Sequence, residues 1–441
     1  MKKFNLILLC FLFSIQGIFA QSNTATKSLE INGVKLIHRP SVKGTVSMRT
    51  FIRGGVNNYS MDYQGVEELL LSMIAEGGPA SMSKDEYQQR LEAIGASISS
   101  STGYDYGNIS LSSIKEYFND ALDIYLEAIA NPALRQEDFE LIQDRMLTNI
   151  RQSKTNPDAH LMSMAMSSTW KGTDYEKSPS GTEASIQNMS LDLIKRYYKT
   201  TFAKNKIFMV IVGDVRLERV KGYFDRTKIS QLPEGNEANW FIVEGGLESG
   251  LNVEDRKIET NYIMGLFSAP VKGTEESVHN ALAMSILGNR FFEELRTKRS
   301  LSYAPSASTT GYIARPMNRV YISTTDPEQS LEVMIDLIND VKTNGYEIKE
   351  LEGTKQSFIT NYYMGQETNA SISMSLGISE IQGSWKNADK FTQRVLSTSV
   401  EDINAVIREY GEEIHWTYLG KEEVVKPKFF KQPVKQKKVK K

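Results

Sequence analysis

Glu68, Leu71 and Ser72 stand at positions i, i+3 and i+4 of the segment Gly65-Val66-Glu67-Glu68-Leu69-Leu70-Leu71-Ser72-Met73. On a helix, residues so spaced are surface neighbours. A His-x-x-Glu-His site uses this spacing to bring two imidazoles onto zinc and a carboxylate onto the water that the metal activates. Here the middle residue is leucine, which can neither take a proton nor orient water, and the outer two are glutamate and serine. The spacing of a site is present and its ligand chemistry is absent. The four histidines, His38, His160, His279 and His415, are scattered without ligand spacing, and no Ser/His/Asp order can be argued from them. A second pair with chemical potential is Arg296 and Tyr303, seven residues apart. An arginine can hydrogen-bond a substrate carbonyl, and a tyrosine hydroxyl can donate to a developing oxyanion. The residues alone favour an arginine in a surface ion pair and a tyrosine in the core.

The segment Gly65 to Gly77 must be helical for its spacing to matter. Val66, Leu69, Leu70, Met73 and Ile74 recur at i, i+3, i+4, i+7 and i+8, which predicts one buried stripe. Glu68, Leu71, Ser72 and Ala75 then point to the opposite face. Around this helix, Ile31-Asn32-Gly33-Val34 reads as a tight hairpin, because Asn-Gly tolerates positive φ. Val46 to Arg53 and Ala96 to Leu111 are strand-like, and 115–130, 134–153 and 190–202 read as helices. The pattern then repeats. Ser190 opens a helix followed by the apolar run Phe208 to Val212. Ser399, 209 residues later, opens another, followed by Trp416 to Leu419. The helix from Gly65 has a counterpart from Ser277 to Gly288. A period this long is two copies of one domain rather than a solenoid. Strands in hairpins with long helices between them predict an α+β fold, two homologous layered domains of antiparallel-rich sheet and helices.

Bulk composition sets the frame. Lys2 and Lys3, an apolar run from Leu6 to Phe13 and a small-residue end at Ala20 read as a secretory signal peptide. The run is too short to span a bilayer as a stable helix, so no transmembrane segment is expected after cleavage. Cys10, the one cysteine, lies in this leader, so the mature chain is expected to hold no disulfide or thiolate site. With 52 basic against 54 acidic residues, nothing favours nucleic acid as a partner. The organisation read from the sequence is a leader over 1–20, a first domain over 21–231, a Gly/Glu/Asn-rich exposed linker over 232–250, a second domain over 251–425 and a basic tail over 426–441. The tail reads as a solvated, disordered end.

The chain resembles the pitrilysin/insulinase-type (inverzincin) peptidases, including processing-peptidase-like proteins and their inactive subunits. The likeness runs from Asn32-Gly33 through Phe51-Ile52-Arg53-Gly54-Gly55 into the Gly65 helix. It continues through Asn131-Pro132, Glu137-Asp138-Phe139, Arg145 to Ile150 and Val212-Gly213-Asp214, and returns at Asn289 to Arg296. In active relatives a glutamate about 77 residues beyond the second histidine is the third zinc ligand, and that position here is Asn149. Glu68, Leu71, Ser72 and Asn149 therefore all depart from the family pattern, which implies a degenerate site, no zinc or other cofactor in this chain and no autonomous proteolysis. The resemblance also implies that Arg296 and Tyr303 match a pair that reaches substrate at the zinc site.

Two-subunit relatives divide these parts, one chain carrying zinc and the other only the Arg/Tyr pair. The resemblance thus implies a non-catalytic subunit in a heterodimer with a zinc-bearing homologue, and the leader ending at Ala20 implies export, which suits a periplasm and leaves secretion beyond it open. It implies that an unfolded peptide adds as a strand near Ser99, Ser101 and Tyr104, although the same polar residues would suit a solvated edge guarded against aggregation. The glycine-rich substrate loop of the regulatory processing-peptidase subunit is missing at Leu287 to Phe291. Two other readings remain open: a stand-alone peptide-binding or holdase-like protein, and a structural subunit of a larger membrane assembly.

Overall fold

The computed structural model describes residues 25–235, 242–243 and 246–431. The expected leader and the last ten residues of the tail lie outside this range. The first half contains strands β1 (Lys27–Ile31), β2 (Val34–Arg39), β3 (Thr45–Arg53), β4 (Ser97–Thr102), β5 (Tyr106–Ile114) and β6 (Ile207–Val212). Its helices are α1 (Val66–Gly77), α2 (Lys84–Ala93), α3 (Phe118–Ala130), α4 (Gln136–Thr155), α5 (Pro157–Thr169), α6 (Glu183–Gln187), α7 (Leu191–Thr201) and α8 (Leu217–Arg226). The second half contains strands β7 (Gly250–Asp255), β8 (Asn261–Ser268), β9 (Ser306–Thr309), β10 (Met317–Thr324) and β11 (Ile414–Gly420). Its helices are α9 (Glu275–Phe291), α10 (Pro327–Asn344), α11 (Ile348–Met364), α12 (Asn369–Ile381), α13 (Asn387–Ser397) and α14 (Val400–Tyr410).

The two sheets share a strand order. The first runs β1-β2-β6-β3-β5-β4 and the second β7-β11-β8-β10-β9, so the second repeats the first without its β1 edge. Each sheet is antiparallel except for one parallel pair, β2 with β6 and β7 with β11. The α+β reading and the internal duplication both hold at this level. The hairpin at Asn32-Gly33 forms as expected, Ile31 pairing with Val34 while the turn residues take φ of 52° and 83°. The continuous apolar run of β6 is buried at every position, as a strand covered on both faces must be.

What covers the second face is not visible in the sequence. Helix α12 of the second half packs on β3 and β6 of the first sheet, and α5 of the first half packs on β8 and β11 of the second. Under α12, Phe51 stacks on Phe208 with ring centroids 5.0 Å apart, and Ile37, Val210 and Val212 meet Ile372 and Leu376. Gly377 makes this approach possible, because a Cβ there would sit 2.0 Å from the Phe51 ring. Polar links frame the contact. Glu380, almost fully buried, accepts from Lys35 at 2.6 Å and Arg53 at 3.1 Å, and the Ser47 and Ser373 hydroxyls are 2.9 Å apart.

Three sequence readings change. The strand-like run from Ala96 to Leu111 is a hairpin, broken between β4 and β5 where Asp105 turns inward to accept from the backbone N–H groups of Ile313 and Ala314 at 2.9 and 2.8 Å. The linker over 232–250 is not exposed throughout, because Leu232 and Leu247 are buried in the first core. The folded chain runs past residue 425, because Phe430 is buried with its ring 6.1 Å from Trp416 and 6.2 Å from Tyr418. Apolar side chains that add area to a core stay with it, whatever charge surrounds them.

The α12 contact is testable by a matched pair of glycines. Gly377→Ala is expected to destabilise by about 3 kcal/mol through overpacking against Phe51. Gly353→Ala, on exposed α11 with open space at its Cβ, is expected to stabilise by about 0.5–1 kcal/mol. Chemical denaturation of both variants checks this, and equal effects would refute the close approach.

Candidate functional site

Helix α1 places the degenerate site and does so with three covered sides. It packs against β4 and β5, α4 and α7. The predicted stripe of Val66, Leu69, Leu70, Met73 and Ile74 is buried. Leu71 and Ala75, expected on the opposite face, are buried as well, at 1% and 4% exposure. The correction has a local cause: β5 comes so close at Gly107 that a Cβ there would lie 2.6 Å from the Leu71 side chain. The position of the catalytic carboxylate is therefore a piece of core.

Glu68 and Asn149 do come together. Both line a cavity of about 660 Å³ bounded by α1, α4 and α5, together with Tyr104, His160, Met162 and Met166. Ser72 is half-buried and lies outside that lining. His160 is held at 2.8 Å by Glu254 of β7, which ties α5 to the second sheet. Among the described residues, no three His, Cys, Asp or Glu side chains gather where they could hold a metal ion. Of the four positions only Glu68 offers zinc a strong donor, since Leu71 is turned into the core and Asn149 brings an amide. The residues present do not fit a catalytic zinc.

Sequence reading missed the adjacent Glu67. Its carboxylate is buried, Oε2 accepting from the Tyr197 hydroxyl at 2.7 Å and the Asn58 amide at 3.3 Å, while Oε1 has no partner. Burial raises its pKa from 4.5 to about 7 against the opposing pull of those hydrogen bonds. The signal was available: Glu67, Leu70, Leu71 and Ile74 fall on one helical face, so a charge stood in an apolar stripe.

The expected peptide edge is an edge. Strand β4 is outermost in the first sheet, with Ser99 and Ser101 on its exposed side. Ser99 Oγ lies 2.8 Å from Ser110 Oγ, and Ser101 Oγ accepts from Asn108 at 2.6 Å, so both hydroxyls already have partners in β5. Tyr104 lies in the turn beyond β4, not on the strand. Its ring is 4.9 Å from both Tyr175 and Tyr312, and burial raises its pKa above the usual tyrosine value.

Arg296 and Tyr303 also meet. The C-terminal end of α9 passes into a π-helical turn, Phe292–Thr297, which widens the backbone and projects Arg296. Its guanidinium lies 4.3 Å from the Tyr303 ring and 4.7 Å from the Phe292 ring. Tyr303 is 78% exposed and Phe292 45%. Arg296 makes no ion pair and no side-chain hydrogen bond among the described residues, so neither the surface ion pair nor the core tyrosine describes them. The Glu68 cavity includes neither residue.

Comparison with known proteins follows this geometry. Residues 35–183 match the family described as "Insulinase (Peptidase family M16)", and residues 188–358 match "Peptidase M16 inactive domain". The chain belongs to peptidase family M16. Within it, the chain is an inactive homologue. It is 22% identical over 349 residues to an "Uncharacterized zinc protease" of Rickettsia bellii, covering 77% of this chain and 83% of that one. It is 22% identical over 330 residues to the "Non-peptidase homolog YmxG" of Helicobacter pylori, covering 72% and 75%. A crystal structure of a peptidase M16 inactive domain from Pseudomonas fluorescens shares the fold, with a TM-score of 0.81 at 19% identity over 91% of this chain and 99% of that one.

Glu67 makes a pH prediction. Its folded-state pKa lies above its unfolded value, so its contribution to stability is fully present below pH 4.5 and is lost as pH rises through about 7. The two values differ enough to lower wild-type stability by about 3 kcal/mol across that window. Glu67→Gln is expected to remove this slope, so that urea unfolding shows the variant gaining on wild type from pH 4.5 to 8. A constant difference over that range would overturn the assignment.

Proposed function

We propose that this protein is a non-catalytic subunit of an exported, periplasmic zinc peptidase, lending Arg296 and Tyr303 to the active site of a zinc-bearing homologous subunit. The observation that carries the reading is the state of that pair. A tyrosine at 78% exposure and a half-exposed phenylalanine both lie against an arginine whose side chain finds no hydrogen-bond acceptor among the described residues. Exposed aromatic surface is stabilised when a partner covers it, and aromatic and arginine side chains are the usual anchors of interfaces. Stacking between the two rings holds the guanidinium in one orientation while leaving its N–H groups free for a carbonyl. Meanwhile the zinc-helix positions have become core and cavity lining, so the metal would be the partner's. The unfolded peptide substrate would add along β4, whose outward N–H and C=O groups have no further strand to pair with.

Co-expression with a homologue that keeps His-x-x-Glu-His tests the reading. The two chains are expected to co-purify as a heterodimer that cleaves unfolded peptides. Arg296→Ala and Tyr303→Phe are each expected to lower kcat by about 10²-fold, the scale of one lost transition-state donor, with the heterodimer still formed. Full activity in both variants would sink the shared site. Binding of unfolded peptide by this chain alone, with no such homologue associating, would favour the holdase-like alternative.

A further inference from the structure

The duplication places a second cavity where the first half has the Glu68 site. It lies between α9, α11 and α12, the counterparts of α1, α4 and α5, is closed by α13, and has a volume of about 520 Å³. Even Asn149 has a counterpart in its lining, Asn361, 212 residues later. The chemistry is different. Lys272 and Arg394 are the charged residues that line it, and the lining contains no aspartate or glutamate. Lys272 is 9% exposed, and its ammonium donates to Thr309 Oγ1 at 2.7 Å, which leaves further protons without an acceptor among the described residues. Arg394 is tied to the same loop, donating to the carbonyl of Gly273 at 2.8 Å and to Asn387 at 3.3 Å, while its buried Nε has no partner. Burial lowers the Lys272 pKa to about 8, with the Asp105 carboxylate, which is not part of the lining, pulling the other way. Phe358, Tyr362 and Phe391 form an aromatic wall, the rings of Tyr362 and Phe391 being 5.3 Å apart.

We infer that this cavity binds an apolar carboxylate, its anionic head on Lys272 and Arg394 and its hydrocarbon or aromatic body against Phe358, Tyr362 and Phe391. Two cations lining one cavity without a lining carboxylate cost free energy that an anion would recover. The loop that carries Lys272 leads into the N-terminus of α9, whose dipole also favours negative charge, while Arg394 reaches the same cavity from α13. The volume suits a body the size of a phenyl group with a short chain. A free organic acid and the C-terminus of a peptide share this chemistry. The site needs no partner subunit and does not rest on the shared-site proposal.

Titration calorimetry of the purified full chain tests the inference with phenylpropionate and its uncharged amide. The acid is expected to bind at least about tenfold tighter than the amide, the worth of one charge-assisted hydrogen bond. Lys272→Met is expected to bring the acid down to the amide's affinity. Ala281→Leu, which keeps both cations and fills the cavity from α9, is expected to abolish binding of both, and it carries the test with the wild-type comparison where Lys272→Met does not fold. An N-acetylated tripeptide ending in phenylalanine identifies the source. Binding about tenfold tighter than phenylpropionate means a peptide C-terminus, and equal or weaker binding means a free acid. Equal affinity for acid and amide, unchanged acid binding in Lys272→Met, or no binding of either probe overturns the inference.

Discussion

Each sheet in this molecule has an apolar face that its own half does not cover, and the exchange of α5 and α12 covers both. Phe51 can stack on Phe208 beneath α12 because residue 377 has no side chain, and Glu380 can be buried there because Lys35 and Arg53 neutralise it from the first sheet. On the reciprocal side, His160 of α5 reaches Glu254 of β7. A buried carboxylate between two cations is only stable when all three are placed, so the register of α12 on β3 and β6 is narrowly set. Everything else described follows from that docking, including the two equivalent cavities behind the exchanged helices.

The cavities show how a duplicated scaffold diverges. In the first half, the positions that a peptidase of this family would use for zinc have taken three fates: Leu71 in the core, Glu68 and Asn149 in a cavity wall, and Ser72 beside it. In the second half, the equivalent space has aromatic walls and two cations. Loss of metal donors leaves the hole behind, because the hole is set by helix spacing and sheet twist rather than by the ligands. A cavity that persists without its first chemistry is free to acquire another.

Much was legible in the residues because it rests on local physics. The Asn32-Gly33 turn, the apolar run of β6, the stripe of α1 and the long internal period all follow from backbone conformational preference and the alternation of burial. The missing carboxylate at Leu71 and the missing imidazoles at Glu68 and Ser72 were legible for the same reason, since helix spacing says which residues must be neighbours, while Asn149 was reached only through the family resemblance. Less was legible where one element meets another. A helical wheel assigns one buried face, and α1 has three covered sides, so Leu71 and Ala75 were placed outside. Glu67 was passed over although its place among Leu70, Leu71 and Ile74 marked it.

The sequence by itself determined that the chain is a duplicated α+β protein, from short-range periodicity and one long internal repeat, and that the helix the family resemblance marks for zinc has residue types that cannot do zinc chemistry. Tertiary structure alone decided that Leu71 is core, that Glu67 is a buried acid, that Arg296 stacks on an exposed Tyr303, and that Lys272 and Arg394 share a cavity. Each of those depends on which surfaces from distant parts of the chain are pressed together, and therefore on how much water each group keeps. A sequence lists the charges, and only packing sets their dielectric surroundings.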